Sequence, residues 1–201
     1  MKRKIKSQDQ NLSDNTSKTI SKRIIVIGAS GVGKTTLVEA LTPLLALPVI
    51  PELGRKLCLE MGFQYPGEIP DQELFKCKVL EEQINQENKL ENFVSDRSTV
   101  DAWVLWQRWN LCQAMTYDSE GYYQKARQQS ALYTDIIYIP PMFEPSDDGF
   151  RWTDLDYQKQ IDRLVRMTLY DWQLLDRTLT ITSLAHQERL KEAHTWLENR
   201  L

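Results

Sequence analysis

The sequence predicts an α/β fold in which helices cover both faces of a five-stranded parallel sheet. Three observations carry this. Apolar, β-branched runs alternate with stretches of helical spacing along the chain. The first run, Arg23-Ile24-Ile25-Val26-Ile27, is continuously apolar after its first residue, as in a strand buried on both faces. It runs into Gly28-Ala29-Ser30-Gly31-Val32-Gly33-Lys34-Thr35, which fits G-x-x-x-x-G-K-[ST], and Thr36 to Leu41 continues with helical spacing. Strand, glycine loop and helix, in that order, define a phosphate-binding P-loop. The expectation is therefore a three-layer P-loop NTPase fold, with the glycine-loop strand near the middle of the sheet.

The other elements follow in order. Leu47 to Pro51 reads as a short strand bounded by prolines, and Leu53 to Met61 as a helix. Pro66 to Pro70 is a loop. Asp71 is placed to cap a long helix reaching about Asn88, with Glu73 in its first turn. Glu91 to Ser95 forms a strand leading into Asp96. Helices are expected over Thr99–Met115 and Glu120–Leu132. Asp135 to Ile139 is a buried strand stopped by Pro140-Pro141. A polar loop covers 142–153, a helix 154–174, a strand 178–182 and a final helix 185–201. No internal repeat or second domain is visible, so residues 22–201 read as one P-loop NTPase, kinase-like domain.

Composition narrows the class. Hydrophobic residues make up 41% and charged residues 26%, ordinary values for a globular protein. No apolar run is long enough to span a membrane, and the basic N-terminus lacks an apolar h-region, so a cytoplasmic protein is expected. Cys58, Cys77 and Cys112 are scattered and read as reduced thiols; with His186 and His194 they match no zinc-ligand spacing. The first 22 residues carry six basic and two acidic side chains, the remainder nineteen and twenty-six. Residues 1–21 therefore read as a disordered basic tail on an acidic body, and the acidic body argues against a nucleic-acid-binding face.

Ligands of parallel sheets sit at the carboxyl ends of the strands, so those ends hold the candidate residues. Around the first, Gly28, Ser30, Gly31, Val32, Gly33, Lys34, Thr35 and Thr36 are expected to bind the phosphates of ATP. Glycines let backbone N–H groups turn inward, and the helix N-terminus adds partial positive charge. Lys34 reaches the β- and γ-phosphates, and the Thr35 hydroxyl can ligate Mg²⁺. The second strand ends in Glu52-Leu53-Gly54-Arg55. Glu52 can take a proton from a substrate hydroxyl or hold a ribose; equally, it can start a helix and pair with Arg55 at i,i+3. The third strand ends in Asp96-Arg97-Ser98. Asp96 stands where such folds hold Mg²⁺, and Arg97 can neutralise a transferring phosphoryl group; alternatively Asp96 caps the next helix and Arg97 pairs with Asp101. Trp103, Trp106 and Trp109 share one helix face, suited either to stacking on a base or to core packing. In the 142–153 loop, Arg151 is the first candidate for a lid arginine, with Arg163 and Arg166 second.

Together, Gly28–Thr35, Glu52-Leu53-Gly54-Arg55, Asp96-Arg97-Ser98-Thr99 and Asp147-Asp148-Gly149-Phe150-Arg151 resemble the NadR-type P-loop family, grouped with AAA-type ATPase domains. Its best-understood members are the nicotinamide riboside kinase domains of bacterial NAD-salvage proteins. The likeness spans about residues 23–182. Pro51-Glu52 and Asp96-Arg97-Ser98 also look like deoxyribonucleoside kinases, more distantly. That resemblance implies a general-base role for Glu52 and a place beside the phosphates for Asp96 and Arg97. Two departures stand out: no adenylyltransferase domain accompanies this stretch, and the apparatus of oligomeric AAA motors is not evident.

Two functions are consistent with these residues. One is a kinase that moves the γ-phosphoryl of ATP·Mg²⁺ to a nucleoside-like small molecule, with Lys34, Glu52, Asp96, Arg97 and Arg151 catalytic and Thr35 and Asp96 on the metal. The other is a regulatory NTPase whose nucleotide state is read by a partner protein. An enclosed substrate space beside the P-loop, walled by Glu52 and the helix after Arg97, would favour the kinase.

Overall fold

The computed structural model describes residues 21–111, 119–142 and 154–200. The expected basic tail, Cys112 and the lid with Arg151 lie outside these residues.

Five strands form one sheet: β1 (Arg23–Ile27), β2 (Val49–Ile50), β3 (Phe93–Asp96), β4 (Asp135–Tyr138) and β5 (Thr178–Thr180). Their order is β2-β3-β1-β4-β5, and every neighbouring pair is parallel. β1 is central, as its apolar run requires: Ile24, Ile25, Val26 and Ile27 are all fully buried. Each such side chain contributes about 1.5–3 kcal/mol of burial free energy. Among the described residues seven helices connect and cover the strands: α1 (Lys34–Leu45), α2 (Leu53–Glu60), α3 (Gln72–Asn88), α4 (Thr99–Asn110), α5 (Glu120–Ser130), α6 (Leu155–Asp171) and α7 (His186–Glu198). α1 packs with α7, while α4 packs with α3, α5 and α6. One apolar core runs through the sheet and these helices, and a smaller cluster of Cys58, Ile69 and Phe75 sits between α2 and α3.

Several boundaries differ from the sequence expectation for local reasons. β2 keeps only two residues, because Pro48 and Pro51 flank it at the edge of the sheet. α4 ends at Asn110, five residues earlier than its apolar spacing suggests. α6 stops at Asp171; Gln173 then takes a left-handed φ of 56° and a single 3₁₀ turn, Leu175–Arg177, leads into β5. Asp71 caps α3 as expected, accepting from the Leu74 N–H at 2.9 Å.

Register positions the site. Val26 lies beside Asp96, and Ile27 beside Tyr138. The ladder runs one residue further on each side: the Arg97 N–H donates to the Val26 carbonyl at 3.1 Å and the Ile139 N–H to that of Ile27 at 3.0 Å. Gly28, Arg97 and Ile139 therefore emerge side by side. Behind them, the buried Glu87 carboxylate accepts from Gln83 and Gln129 at 2.8 Å and from the Tyr133 hydroxyl at 2.9 Å. That hydroxyl also accepts from the Thr99 N–H at 3.0 Å, fixing the start of α4 relative to α3.

Candidate active site

The loop from Gly28 to Gly33 takes backbone conformations that side chains oppose. Gly28 has φ +144°, and a Cβ there would lie 2.4 Å from the Ile139 carbonyl oxygen. Gly33 has φ +92° and caps α1. Gly28→Ala is expected to cost about 2–3 kcal/mol, since left-handed strain and a backbone clash add. A thermal unfolding curve superimposable on the parent's would contradict this close approach of β4.

The loop is tied down from distant parts of the chain. Gln158 of α6 donates to the Ser30 carbonyl at 3.0 Å. Arg189 of α7, buried, donates to the Val32 carbonyl at 3.0 Å and to that of Ser183 at 2.9 Å. These donors hold two of the loop's carbonyls and so fix its backbone from α6 and α7. Both residues are invisible to local pattern, standing 128 and 157 positions from the groups they hold.

Lys34 opens α1 with its ammonium buried against the loop, donating to the Ala29 carbonyl at 2.7 Å. Burial, reinforced by the nearby Arg97 guanidinium, pushes its pKa down to about 7 from 10.5. A polyphosphate placed there restores the charged form. ATP binding at pH 8 is thus expected to take up about one proton, read by calorimetry in buffers of different ionisation enthalpy. The linked stability has a definite sign: between pH 7 and 10.5 the unfolded chain holds a proton that the folded one has shed, so ligand-free stability rises with pH across that window. Binding heats at pH 8 that do not depend on the buffer would contradict the proton uptake, and a ligand-free melting temperature that does not rise with pH would contradict the stability shift.

Thr35 and Asp96 meet across the sheet edge. The Thr35 hydroxyl donates to Asp96 Oδ2 at 2.5 Å, and Asp96 is buried. Its other oxygen, Oδ1, is buried with no hydrogen-bond partner among the described residues. A hydroxyl and an unsatisfied carboxylate oxygen at the mouth of a P-loop form a hard-oxygen donor set that suits Mg²⁺. Asp96 does not cap α4. Ser98 does, accepting from the Val100 N–H at 3.1 Å. Thr36 is exposed on the first turn of α1.

Arg97 is the most constrained residue here. It has a left-handed φ of 81°, a conformation costing of order 1–3 kcal/mol outside glycine. That backbone sends its side chain to Glu52, whose Oε1 accepts from Nε at 2.6 Å, while Nη1 lies 3.6 Å from Asp101. Burial opposes the charge on Arg97, but Glu52, Asp101 and Asp96 together hold the guanidinium pKa above its ordinary value. Both alternatives read from the sequence are thus present: Arg55 approaches Glu52 at 3.9 Å, but the close partner is Arg97. Asp101 adds what the sequence reading gave no role beyond an ion pair. Its Oδ1 accepts from the Gly28 N–H at 3.4 Å and its Oδ2 from Ser98 at 3.0 Å, so one carboxylate ties α4 to both strand ends. Burial pushes it above the usual carboxylate range, with Arg97 and Lys34 pulling the other way.

A cleft of about 510 Å³ adjoins this cluster. Ser30, Glu52, Arg97 and Asp101 line its inner end, and α2, α3 and α4 its walls. The three tryptophans divide. Trp106 is buried and stacked on Tyr122, with ring centroids 4.2 Å apart, and Trp103 packs edge-on against Tyr123; both are packing residues. Trp109 lines the cleft. Arg163 is exposed, and Arg166 is engaged on α6, its Nε donating to the Tyr138 hydroxyl at 3.0 Å and Nη2 lying 2.9 Å from Asp162. Tyr138 in turn donates to Asp162. Among the described residues no group of three or more His, Cys, Asp or Glu could hold a metal, and no helix is long and apolar enough to cross a membrane.

A central parallel strand, a glycine loop and a buried lysine opening the next helix define a P-loop protein. The chain belongs to the AAA domain family, whose model matches residues 23–189. No curated protein matches it in sequence. Among solved structures it is similar to NadR protein in complex with NR, with 19% identity and a TM-score of 0.66 over 88% of this chain and 52% of that one. It therefore spans about half the length of that relative. It is also similar to deoxyadenosine kinase from M. mycoides with products dcmp and dcdp (16% identity, TM-score 0.64, 89% and 99% covered). A third likeness is to shikimate kinase from Acinetobacter baumannii in complex with shikimate (14%, 0.55, 91% and 96%). At these identities the fold is what is shared: a P-loop, kinase-like α/β fold.

Proposed function

We propose that this chain is a kinase that transfers the γ-phosphoryl of ATP to a hydroxyl of a nucleoside-like small molecule, in the manner of nicotinamide riboside kinases. The observation that carries this is the cleft beside the P-loop, with Glu52 and Arg97 at its inner end. A nucleotide switch needs no acceptor-sized space there. The solved kinases of the same fold, those of a deoxynucleoside and of shikimate among them, support the reading.

In this mechanism the loop N–H groups and Lys34 hold the β- and γ-phosphates, and Glu52 orients the acceptor hydroxyl and takes its proton. The acceptor oxygen bonds to the γ-phosphorus as its bond to the bridging oxygen breaks, and ADP leaves. Arg97, kept charged by three carboxylates, faces the charge that develops. Thr35 and Asp96 would hold Mg²⁺, which when bound neutralises phosphate charge. Arg151 keeps its proposed role as a lid arginine. A panel of ribosyl and deoxyribosyl acceptors, assayed for ATP-dependent phosphorylation beside basal hydrolysis, tests the assignment. Hydrolysis indifferent to every acceptor would favour the regulatory NTPase.

A further inference from the structure

Lys76 is a charged side chain of the cleft with no part in the phosphoryl-transfer cluster. Lys76, on α3, lines the cleft with Trp109, its Nζ 5.7 Å from the indole centroid. No carboxylate among the described residues pairs with it. Of the other basic side chains in the lining, Arg97 pairs with Glu52 and Asp101, Arg55 approaches Glu52, and Arg108 lies over the Tyr157 ring. Lys76 is also held in place. The Tyr122 hydroxyl is directed at the Lys76 carbonyl at 3.3 Å and the Ala102 carbonyl at 3.2 Å, pinning α3 to α4. Tyr122 is itself stacked on the buried Trp106. A lysine on a rigid wall, desolvated and without a counter-charge, is what a ligand anion completes. Burial pushes its ammonium down to about 8, the mark of a charge that lacks its partner.

We propose that Lys76 forms an anion subsite, so that the acceptor carries a carboxylate or another anionic group on its ring, at the end remote from the hydroxyl that is phosphorylated. The inference rests on the kinase reading for the word acceptor; the subsite itself rests on Lys76 and the cleft. The charge balance of the lining agrees, with Arg55, Lys76, Arg97 and Arg108 set against Glu52 and Asp101. Glu52 serves the hydroxyl end and Lys76 the ring end. Trp109 contributes an apolar face beside the ammonium, suited to a planar ring that bears the anion.

Calorimetric binding to the full chain loaded with a non-hydrolysable ATP analogue tests this without relying on turnover. The probes are a pyridine riboside bearing a ring carboxylate and its carboxamide counterpart. The parent is expected to bind the carboxylate probe about tenfold or more tightly than the carboxamide. Lys76→Met keeps the apolar stem and should bind the two equally, whereas Lys76→Arg should keep the preference. Nucleotide affinity should be the same in all three, which shows that the variants are folded. Equal affinities in the parent, no binding of the carboxylate probe, or a preference that survives Lys76→Met would overturn the subsite. Binding with the expected preference but without phosphorylation would count against the kinase reading and leave the subsite standing.

Discussion

Lys34→Ala is expected to lower phosphoryl turnover by about 10²–10³-fold while leaving the protein folded. The loss is that of a cation placed where phosphate charge develops. The structure adds a second, opposite expectation. In the ligand-free protein the Lys34 ammonium is buried and its charged form disfavoured, its only hydrogen bond among the described residues going to the Ala29 carbonyl. Removing it should therefore hold or raise the melting temperature at neutral pH, even as activity disappears. Stability and activity thus move apart, which separates a functional lysine from a packing one. A fall in both would make Lys34 structural, and unchanged turnover would remove the P-loop from the chemistry.

Glu52→Gln is expected to keep ATP binding and reduce transfer to the acceptor by about 10²–10⁴-fold. The amide oxygen can still accept from Arg97 Nε, so the contact at 2.6 Å has a replacement, but the amide cannot take the proton. The two readings of Glu52 predict different patterns. As general base, it affects transfer to the acceptor and spares ATP affinity. As mere anchor of Arg97, it affects acceptor transfer and hydrolysis to water alike, and thermal stability falls with them, because Arg97 loses one of its counter-charges. Measuring both reactions in parent and mutant, with melting curves, decides between them. Equal acceptor turnover in mutant and parent would end the general-base role.

Much of the fold was legible because parallel sheets write themselves locally. Ile24–Ile27 announces a central strand by being apolar throughout, and the glycine spacing announces the loop that follows. Asp71 announces its helix as a cap does. The strand ends also place Glu52, Asp96 and Arg97 on one edge of the sheet from sequence alone. The parts that stayed hidden depend on distance along the chain or on backbone strain. Nothing near Arg97 signals a left-handed φ, because the conformation is imposed by Val26 on one side and the start of α4 on the other. Ser98 rather than Asp96 caps α4, because Asp96 still belongs to the strand and its oxygen is taken by Thr35. Gln158 and Arg189 hold the P-loop from α6 and α7, and helical periodicity gives them no marking that separates them from their neighbours. Lys76 reads in sequence as one polar position on a long helix; only the packing of α3 against α4 turns it into a cleft.

In the proposed reaction the γ-phosphoryl goes to a small-molecule hydroxyl and not to water. Incubating the full chain with γ-labelled ATP, Mg²⁺ and a set of ribosyl acceptors, then separating the products, tests it most directly. A labelled acceptor formed one-for-one with ADP is expected, at a rate exceeding release of inorganic phosphate by about tenfold or more, as where a closed site positions a hydroxyl and excludes water. Label found only in inorganic phosphate, at a rate unchanged by any acceptor, would contradict it.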